Sequence, residues 1–323
     1  MIELNRRRRR GHAMYPRSIH SLTSVTYVFL ATVGFTSDCR AQKHQMNERT
    51  AKQGEWRVSY ESNGEGEELI LFVHGWGADR STWETQMQTL DLDIPMAAVD
   101  LIGHGKSDCP EMEYTVDKLS DSVRAVADDL GAKRVILVGH SNGVPVCRDF
   151  LHRFPAITRA MVIVDGPLKN VVPGEMARAM VSRFESPEYR KSIEQLRQFQ
   201  KPNGELTAAH IDLITDAMLA TPQRILLSTY RAQLQPGFWK AEKIDVPVLA
   251  VYSQNPHWAM WDEDYERFLR SNVKQLELHY LQGSHLVHIE KASEFNRLLS
   301  DFVERLGRGS EPAQTDSKVN SPE

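Results

Sequence analysis

The most informative segment of the chain is Val138-Gly139-His140-Ser141-Asn142-Gly143. It follows a short apolar run that is typical of a buried strand, and a helical pattern begins near Asn142. Glycine-x-serine-x-glycine at a strand-to-helix junction forms a sharp turn that projects the serine hydroxyl. The backbone N–H of Asn142, at a helix N-terminus, can then stabilise an oxyanion. The segment therefore predicts Ser141 as a nucleophile and Asn142 as an oxyanion donor.

A second oxyanion donor is expected in the loop after the earlier apolar run 69–73. This loop reads His74-Gly75-Trp76-Gly77, and its small glycines allow the backbone to turn back over the serine. The backbone N–H of Trp76 is the candidate donor.

The serine needs a base, and histidine has a suitable pKa for that role. His285 lies in the loop between the last predicted strand, 276–281, and the last helix, after the nucleophile in chain order. His288, three residues later, is the alternative, but it leads directly into the helix. His74, His104 and His140 flank glycine turns and are expected to orient the backbone instead.

The rest of the pattern alternates between short apolar runs and helical periodicity, which indicates a parallel sheet covered by helices on both faces. The apolar runs are 69–73, 95–99, 135–138, 161–164 and 246–252. Residues 55–61 alternate in polarity and predict an antiparallel strand. Residues 116–130 carry one apolar stripe at helical spacing, and Gly131 is expected to end that helix.

One connection is far longer than the others. Residues 166–243 contain no strand-like run but four helical stretches, 175–184, 187–198, 206–219 and 223–234, separated by proline and glycine signals. A helical insertion of this length above a sheet edge is commonly a cap over a site.

With these motifs in this order, residues 55–306 resemble the α/β-hydrolase superfamily, specifically its capped carboxylesterase-like branch. Two further motifs carry the resemblance, a glycine-rich loop at 100–107 and Gly283-Ser284-His285 followed by Glu290. The resemblance implies an eight-stranded, mostly parallel sheet with helices on both faces, a helical cap inserted after the sixth strand, and hydrolysis without a cofactor.

The catalytic acid departs from the family pattern. Most relatives place it after the seventh strand, where this chain has Asn255 and no carboxylate. Some relatives use the end of the sixth strand, where Asp165 stands, and we take Asp165 as the catalytic acid. Asp262 and Glu263 are the alternatives, but they are expected to begin a helix, where acidic residues favour the helix dipole.

Composition limits the class of protein and its partners. The 323 residues are 41% hydrophobic and 25% charged, which excludes disordered and multi-span membrane chains, and three cysteines exclude a disulfide scaffold. Residues 1–41 hold seven basic and two acidic residues, so the remainder has a net charge of -9. An acidic body argues against nucleic acid as a partner. No zinc-ligand spacing or nucleotide-binding loop stands out.

The two ends of the chain are expected to lie outside the folded core. Five arginines, an uncharged stretch at 25–35 and Cys39-Arg40-Ala41 resemble a secretory signal, with translation beginning at Met1 or Met14. We therefore expect a leader at 1–41, a linker at 42–54, a hydrolase core at 55–166 and 244–306, a cap at 167–243, and a disordered tail at 307–323. The expected location is secreted or periplasmic, without stable membrane insertion after cleavage.

The sequence predicts a serine hydrolase for small or medium esters, with Ser141, His285 and Asp165 as its triad. A carbon–carbon bond hydrolase or a lactonase would use the same residues, and a ligand-binding receptor with little turnover is a further alternative. Four tryptophans are expected either to line an apolar pocket or to pack within the cap: Trp76, Trp239, Trp258 and Trp261. The sequence leaves the natural substrate, cap mobility and oligomeric state open.

Overall fold

The computed structural model describes residues 46–201, 203–235, 237–239, 243–254 and 261–308. Its strands, in chain order, are β1 Asn47–Gln53, β2 Trp56–Ser62, β3 Glu68–Val73, β4 Met96–Val99, β5 Arg134–His140, β6 Thr158–Val164, β7 Ile244–Gln254 and β8 Val273–Gln282. They form one eight-stranded sheet in the order β1-β2-β4-β3-β5-β6-β7-β8. The β1–β2 and β2–β4 pairs are antiparallel, and the remaining pairs are parallel. The predicted mostly parallel sheet is confirmed.

The central strands are buried on both faces, which explains their continuous apolar sequences. In β3, Leu69 and Leu71 face one apolar cluster, while Ile70 and Phe72 face another on the opposite side of the sheet. Each cluster is closed by helices, so the sheet has a separate core on each face.

The helices, in chain order, are α1 Glu84–Thr89, α2 Val116–Asp129, α3 Gly143–Arg153, α4 Gly174–Glu185, α5 Tyr189–Phe199, α6 Ala208–Ala220, α7 Gln223–Gln233, α8 Glu263–Asn272, α9 Val287–Glu290 and α10 Ala292–Arg308. A short 3-10 helix, Arg80–Trp83, precedes α1. Helices α2, α3 and α8 pack on one face, and α1 and α10 pack on the other. Gly131 follows α2 with φ +68°, as expected for a residue that ends a helix.

Four helices, α4 to α7, lie between β6 and β7, where the sequence predicts the cap. Their apolar side chains form two clusters, one around Phe184, Ile193 and Leu226 and one around Leu206 and Ile211, which also includes Leu286 and Ile289 of the core. The division of the chain at residues 167 and 243 stays a prediction, but the helical content of this segment agrees with it.

Two expectations about the ends of the core need correction. The segment predicted as a linker, 42–54, contains β1, which pairs with β2 along its whole length. Helix α10 extends to Arg308, so the first two residues of the predicted tail are helical. The predicted leader and residues 309–323 lie outside the described residues. Within the described part of the chain, no helix is long and apolar enough to span a membrane.

The topology brings the motifs to one edge. Because β3, β5, β6 and β8 run parallel, their carboxyl ends meet at the same edge of the sheet, where α/β proteins commonly bind ligands. The segments that follow them begin with His74, Ser141, Asp165 and Gly283.

Candidate active site

Ser141 lies in a strained turn directly after β5. Its φ of 52° is a left-handed conformation that residues other than glycine rarely adopt. The flanking glycines make the turn possible: a Cβ on Gly139 would lie 2.8 Å from the carbonyl carbon of Gly143. A Cβ on Gly143 would lie 2.4 Å from the carbonyl oxygen of Val73. The serine is thus held in an unusual conformation by close backbone packing, as the motif predicts.

The structure brings Ser141, His285 and Asp165 together in one hydrogen-bonded relay. Ser141 Oγ lies 2.8 Å from His285 Nε2, and His285 Nδ1 lies 2.6 Å from Asp165 Oδ2. An ionised carboxylate only accepts hydrogen bonds, so Nδ1 carries a proton and Nε2 of a neutral ring accepts from the serine hydroxyl. The arrangement can move a proton from the serine to the imidazole.

The carboxylate of Asp165 is fully buried and accepts from three donors among the described residues. Besides His285, the backbone N–H of Ser253 and the indole N–H of Trp261 donate to its Oδ1 at 2.7 and 2.8 Å. Burial alone raises the pKa of Asp165, but the hydrogen bond and charge of His285 and the bond from the backbone N–H of Ser253 outweigh it, so the net shift lowers the pKa. The carboxylate is therefore ionised and fixed in orientation.

The alternative acids occupy other positions. The side chain of Asp262 accepts from the backbone N–H of Tyr265 at 2.8 Å and caps α8, as expected. Glu263 is the first residue of that helix. Asn255 lies outside the described residues.

The loop that carries Trp76 packs directly against the serine. A Cβ on Gly75 would lie 3.2 Å from the Cβ of Ser141. His74 Nδ1 donates to the carbonyl oxygen of Gly75 at 2.8 Å, while His74 Nε2 accepts from Leu101 N–H at 3.1 Å. In a trans peptide the N–H points opposite to the carbonyl, so the N–H of Trp76 points away from His74. Among the described turns and loops, no backbone carbonyl accepts from this N–H or from that of Asn142.

The remaining histidines of this region are neutral and buried. Desolvation lowers the pKa of His104 and of His288 to about 3, and it lowers the pKa of His140 well below its usual range. His288 packs against Trp83, with ring centroids 4.6 Å apart and the ring planes tilted by 42°. His140 Nε2 donates to the carbonyl oxygen of His285 at 2.9 Å. As expected, His74 and His140 orient backbone groups.

Of the described tryptophans, Trp76 lines a mostly apolar cavity, as expected, and its side chain also packs in the cap, whereas Trp261 and Trp239 make polar contacts. The indole N–H of Trp261 donates to Asp165, and that of Trp239 donates to the carbonyl oxygen of Gln233 within the cap segment. Trp258 lies outside the described residues. A mostly apolar cavity does border the site, between Trp76 and Asn142 on one side and α2, α3 and α7 on the other.

A metal centre is not apparent in the described residues, where no group of three or more histidine, cysteine, aspartate or glutamate side chains could hold an ion. Both described cysteines are free: Cys109 is exposed, and Cys147 is buried in α3.

Comparisons with known proteins agree with this architecture. Residues 70–298 match a family model described as the alpha/beta hydrolase family. Protein ABHD8 from Mus musculus is 25% identical over 265 residues, which cover 77% of this chain and 58% of that protein. This chain therefore spans less than two thirds of the length of that relative.

Two solved structures show the same fold at low identity. An epoxide hydrolase from Bacillus megaterium has a TM-score of 0.66 at 22% identity, covering 79% of this chain and 100% of that one. A thermophilic esterase from Thermogutta terrifontis has a TM-score of 0.63 at 17% identity, covering 81% of this chain and 99% of that one.

Proposed function

The chain belongs to the alpha/beta hydrolase family, and from that premise we propose that it is a serine hydrolase that cleaves small or medium carboxylic esters. The observation that carries the proposal is the continuous hydrogen-bonded relay from Ser141 through His285 to Asp165. A serine hydroxyl is a weak nucleophile at neutral pH, and an adjacent oriented imidazole is what activates it.

The proposed acylation uses Ser141 and His285 in turn. Ser141 Oγ forms a bond to the ester carbonyl carbon while its proton passes to His285 Nε2. Asp165 balances the resulting imidazolium charge, and the N–H groups of Trp76 and Asn142 donate to the oxyanion. The tetrahedral intermediate then breaks the bond to the alkoxy group, which leaves as the alcohol with the proton from His285.

Deacylation reverses these roles with water. His285 takes a proton from a water molecule, whose oxygen bonds to the acyl carbon. Collapse of this second intermediate breaks the bond to Ser141 Oγ, and the serine recovers its proton from His285. The products are a carboxylic acid and the free enzyme.

The serine at the turn separates this proposal from epoxide hydrolysis. Relatives with that chemistry place an aspartate at the nucleophile position, and this chain has Ser141 there. The walls of the cavity beside Trp76 and Asn142 are mostly apolar, so they favour a small apolar group of the substrate over a charged one.

A fluorophosphonate probe tests the nucleophile directly. We expect labelling of the wild-type protein at Ser141 and none in Ser141→Ala, with strongly reduced labelling in His285→Ala. Labelling at a different serine would contradict the assignment. Aryl esters of increasing chain length then test the substrate class: labelling without ester turnover would favour a receptor, a lactonase or a carbon–carbon bond hydrolase.

We also propose that the protein is exported, secreted or periplasmic, with its leader removed after Ala41. The supporting observation is the order of basic, apolar and small residues in 1–41. Mass spectrometry of exported protein should give an N-terminus at residue 42, and an N-terminus before residue 20 would contradict cleavage there.

A further inference from the structure

Trp76 contacts both the core and the cap. Its backbone lies in the loop against Ser141, whereas its side chain packs into the cap cluster around Phe184 and Leu226. The indole lies edge-on to Phe184, with ring centroids 4.6 Å apart, and its Nε1–H donates to the carbonyl oxygen of Leu226 at 2.9 Å. The residue that offers the oxyanion donor is thus anchored in the cap.

The next residue of the loop, Gly77, has its own contact with the cap. Its carbonyl oxygen accepts from Thr221 Oγ1 at 3.0 Å, and this bond is buried. Thr221 immediately follows α6, and its hydroxyl also lies 3.1 Å from the carbonyl oxygen of Ala217. A Cβ on Gly77 would lie 2.7 Å from a methyl carbon of Leu226, so α7 packs directly on the loop.

The same loop is fixed from the core by His74. The Nδ1–H of His74 donates to the carbonyl oxygen of Gly75. This carbonyl belongs to the same peptide unit as the Trp76 N–H. Burial lowers the pKa of His74, so the ring stays neutral and its Nε2 can accept from Leu101 N–H. The peptide unit between Gly75 and Trp76 is therefore held on one side by the core and on the other by the cap.

We propose that the cap positions the oxyanion donor, with Thr221 and the indole of Trp76 as the connecting groups. A shift of the cap relative to the core would move the Trp76 N–H through these two bonds, so the cap acts on the rate of the chemical step as well as on substrate access. The inference rests on the proposed serine hydrolase function. Thr221 is a positioning residue here, because it acts through the loop.

The expected effect follows from the sensitivity of an oxyanion hole to geometry. Removing one donor completely costs roughly 100-fold to 1,000-fold in kcat, so displacing a donor should cost less, about tenfold. KM should change little, because the donor acts on the charge that develops during the reaction.

Thr221→Val and Thr215→Val form a matched pair for this test. Both remove a buried threonine hydroxyl from α6 or its end, but among the described residues the hydroxyl of Thr215 bonds only the carbonyl oxygen of Ile211 in its own helix, at 2.7 Å. We expect Thr221→Val to lower kcat about tenfold at unchanged KM, and Thr215→Val to leave kcat within about twofold of wild type. Trp76→Phe, which keeps an aromatic ring but loses the bond to Leu226, is a second variant expected to lower kcat.

Amide hydrogen exchange gives a readout that needs no activity. Exchange across residues 74–78 should become faster in Thr221→Val and in Trp76→Phe than in Thr215→Val, because the loop loses a bond to the cap. Equal kcat and equal exchange in the two threonine variants would overturn the proposal, and so would faster exchange at unchanged kcat. If the wild-type protein were not labelled by fluorophosphonate, the hydrolase function would fail, while unchanged exchange would separately refute the connection.

Discussion

Two buried carboxylates follow strands of the same sheet, yet their surroundings differ. Asp100 comes directly after β4 and Asp165 directly after β6, and their exposed fractions are 1% and 0%. Asp100 forms an ion pair with the buried guanidinium of Arg80 and accepts from the backbone N–H groups of Arg80 and Lys106 at 2.9 Å. All described donors to its carboxylate belong to these two residues, Arg80 and Lys106.

Asp165 also accepts from a backbone N–H, that of Ser253, but its second carboxylate oxygen accepts from the titratable ring of His285. The side chain of His285 is 36% exposed and reaches Ser141, whereas that of Arg80 is 8% exposed and always charged. Burial and position at a strand end therefore do not distinguish the carboxylate proposed as catalytic from the one held in a structural ion pair. The partner does, because only an imidazole can pass a proton onward.

The largest expected effect comes from Asp165→Asn. An amide can hold the ring of His285 but cannot balance the imidazolium charge, so kcat should fall about 10,000-fold with the fold retained. Ester turnover and fluorophosphonate labelling measure the loss. Asp262→Asn is the control, because Asp262 only caps α8, and it should do little. The reverse result would move the catalytic acid to Asp262.

Asp100→Asn should give the opposite pattern. Removing one partner of a buried ion pair leaves Arg80 without its closest counterion, which should lower the free energy of unfolding by about 3 kcal/mol. At temperatures where the variant is folded, kcat should stay within about threefold of wild type, since catalysis does not use this carboxylate. Urea unfolding and ester turnover measure the two quantities. A large loss of kcat in folded Asp100→Asn would break the distinction between the carboxylates.

Much of the site was predictable because short local motifs determine it. The turn at Ser141 and the loop containing His285 are each recognisable within a few residues, and the chain order of the motifs supplies the fold. Asp165 is harder to identify from sequence, since the strand end next to the nucleophile is also a common place for a structural acid. The contact of Trp261 with Asp165 was not predicted, because the two residues are 96 positions apart and no local pattern joins them.

Strand β1 shows why the fold was only partly predictable. Its sequence, NERTAKQ, contains a single apolar residue, Ala51, so neither alternation nor an apolar run marks it. It forms because every residue pairs with β2, after a turn at Gly54, whose φ of +63° suits glycine. Its stability thus depends on tertiary pairing, which the pattern of one segment cannot reveal. The same holds for Trp76, whose side chain anchors the loop to the cap.

Trp261→Phe tests the hydrogen bond from the indole to Asp165, and its expected effect on kcat is smaller. The change removes the donor to Oδ1 while keeping an aromatic ring to stack on Tyr252, 4.6 Å away between centroids. We expect kcat to fall about tenfold at similar KM, equivalent to about 1.4 kcal/mol, because the carboxylate is less firmly oriented toward His285. Trp239→Phe removes a comparable indole bond from the cap and should leave kcat unchanged. Equal kcat values in the two variants would show that the bond to Asp165 does not position it.

The smallest expected effect concerns the pH dependence of stability, and it isolates the ionisation of Asp165. Its folded pKa is lowered, so its ionised form contributes stability above the ordinary aspartate pKa, and that contribution is lost as pH falls through the folded value. The difference in unfolding free energy between wild type and Asp165→Asn should therefore shrink as pH decreases below about 4. Urea unfolding of both proteins between about pH 3 and 6 measures it. A difference that grows toward acid would mean that Asp165 is protonated in the native protein, and a neutral acid could not stabilise the imidazolium of His285.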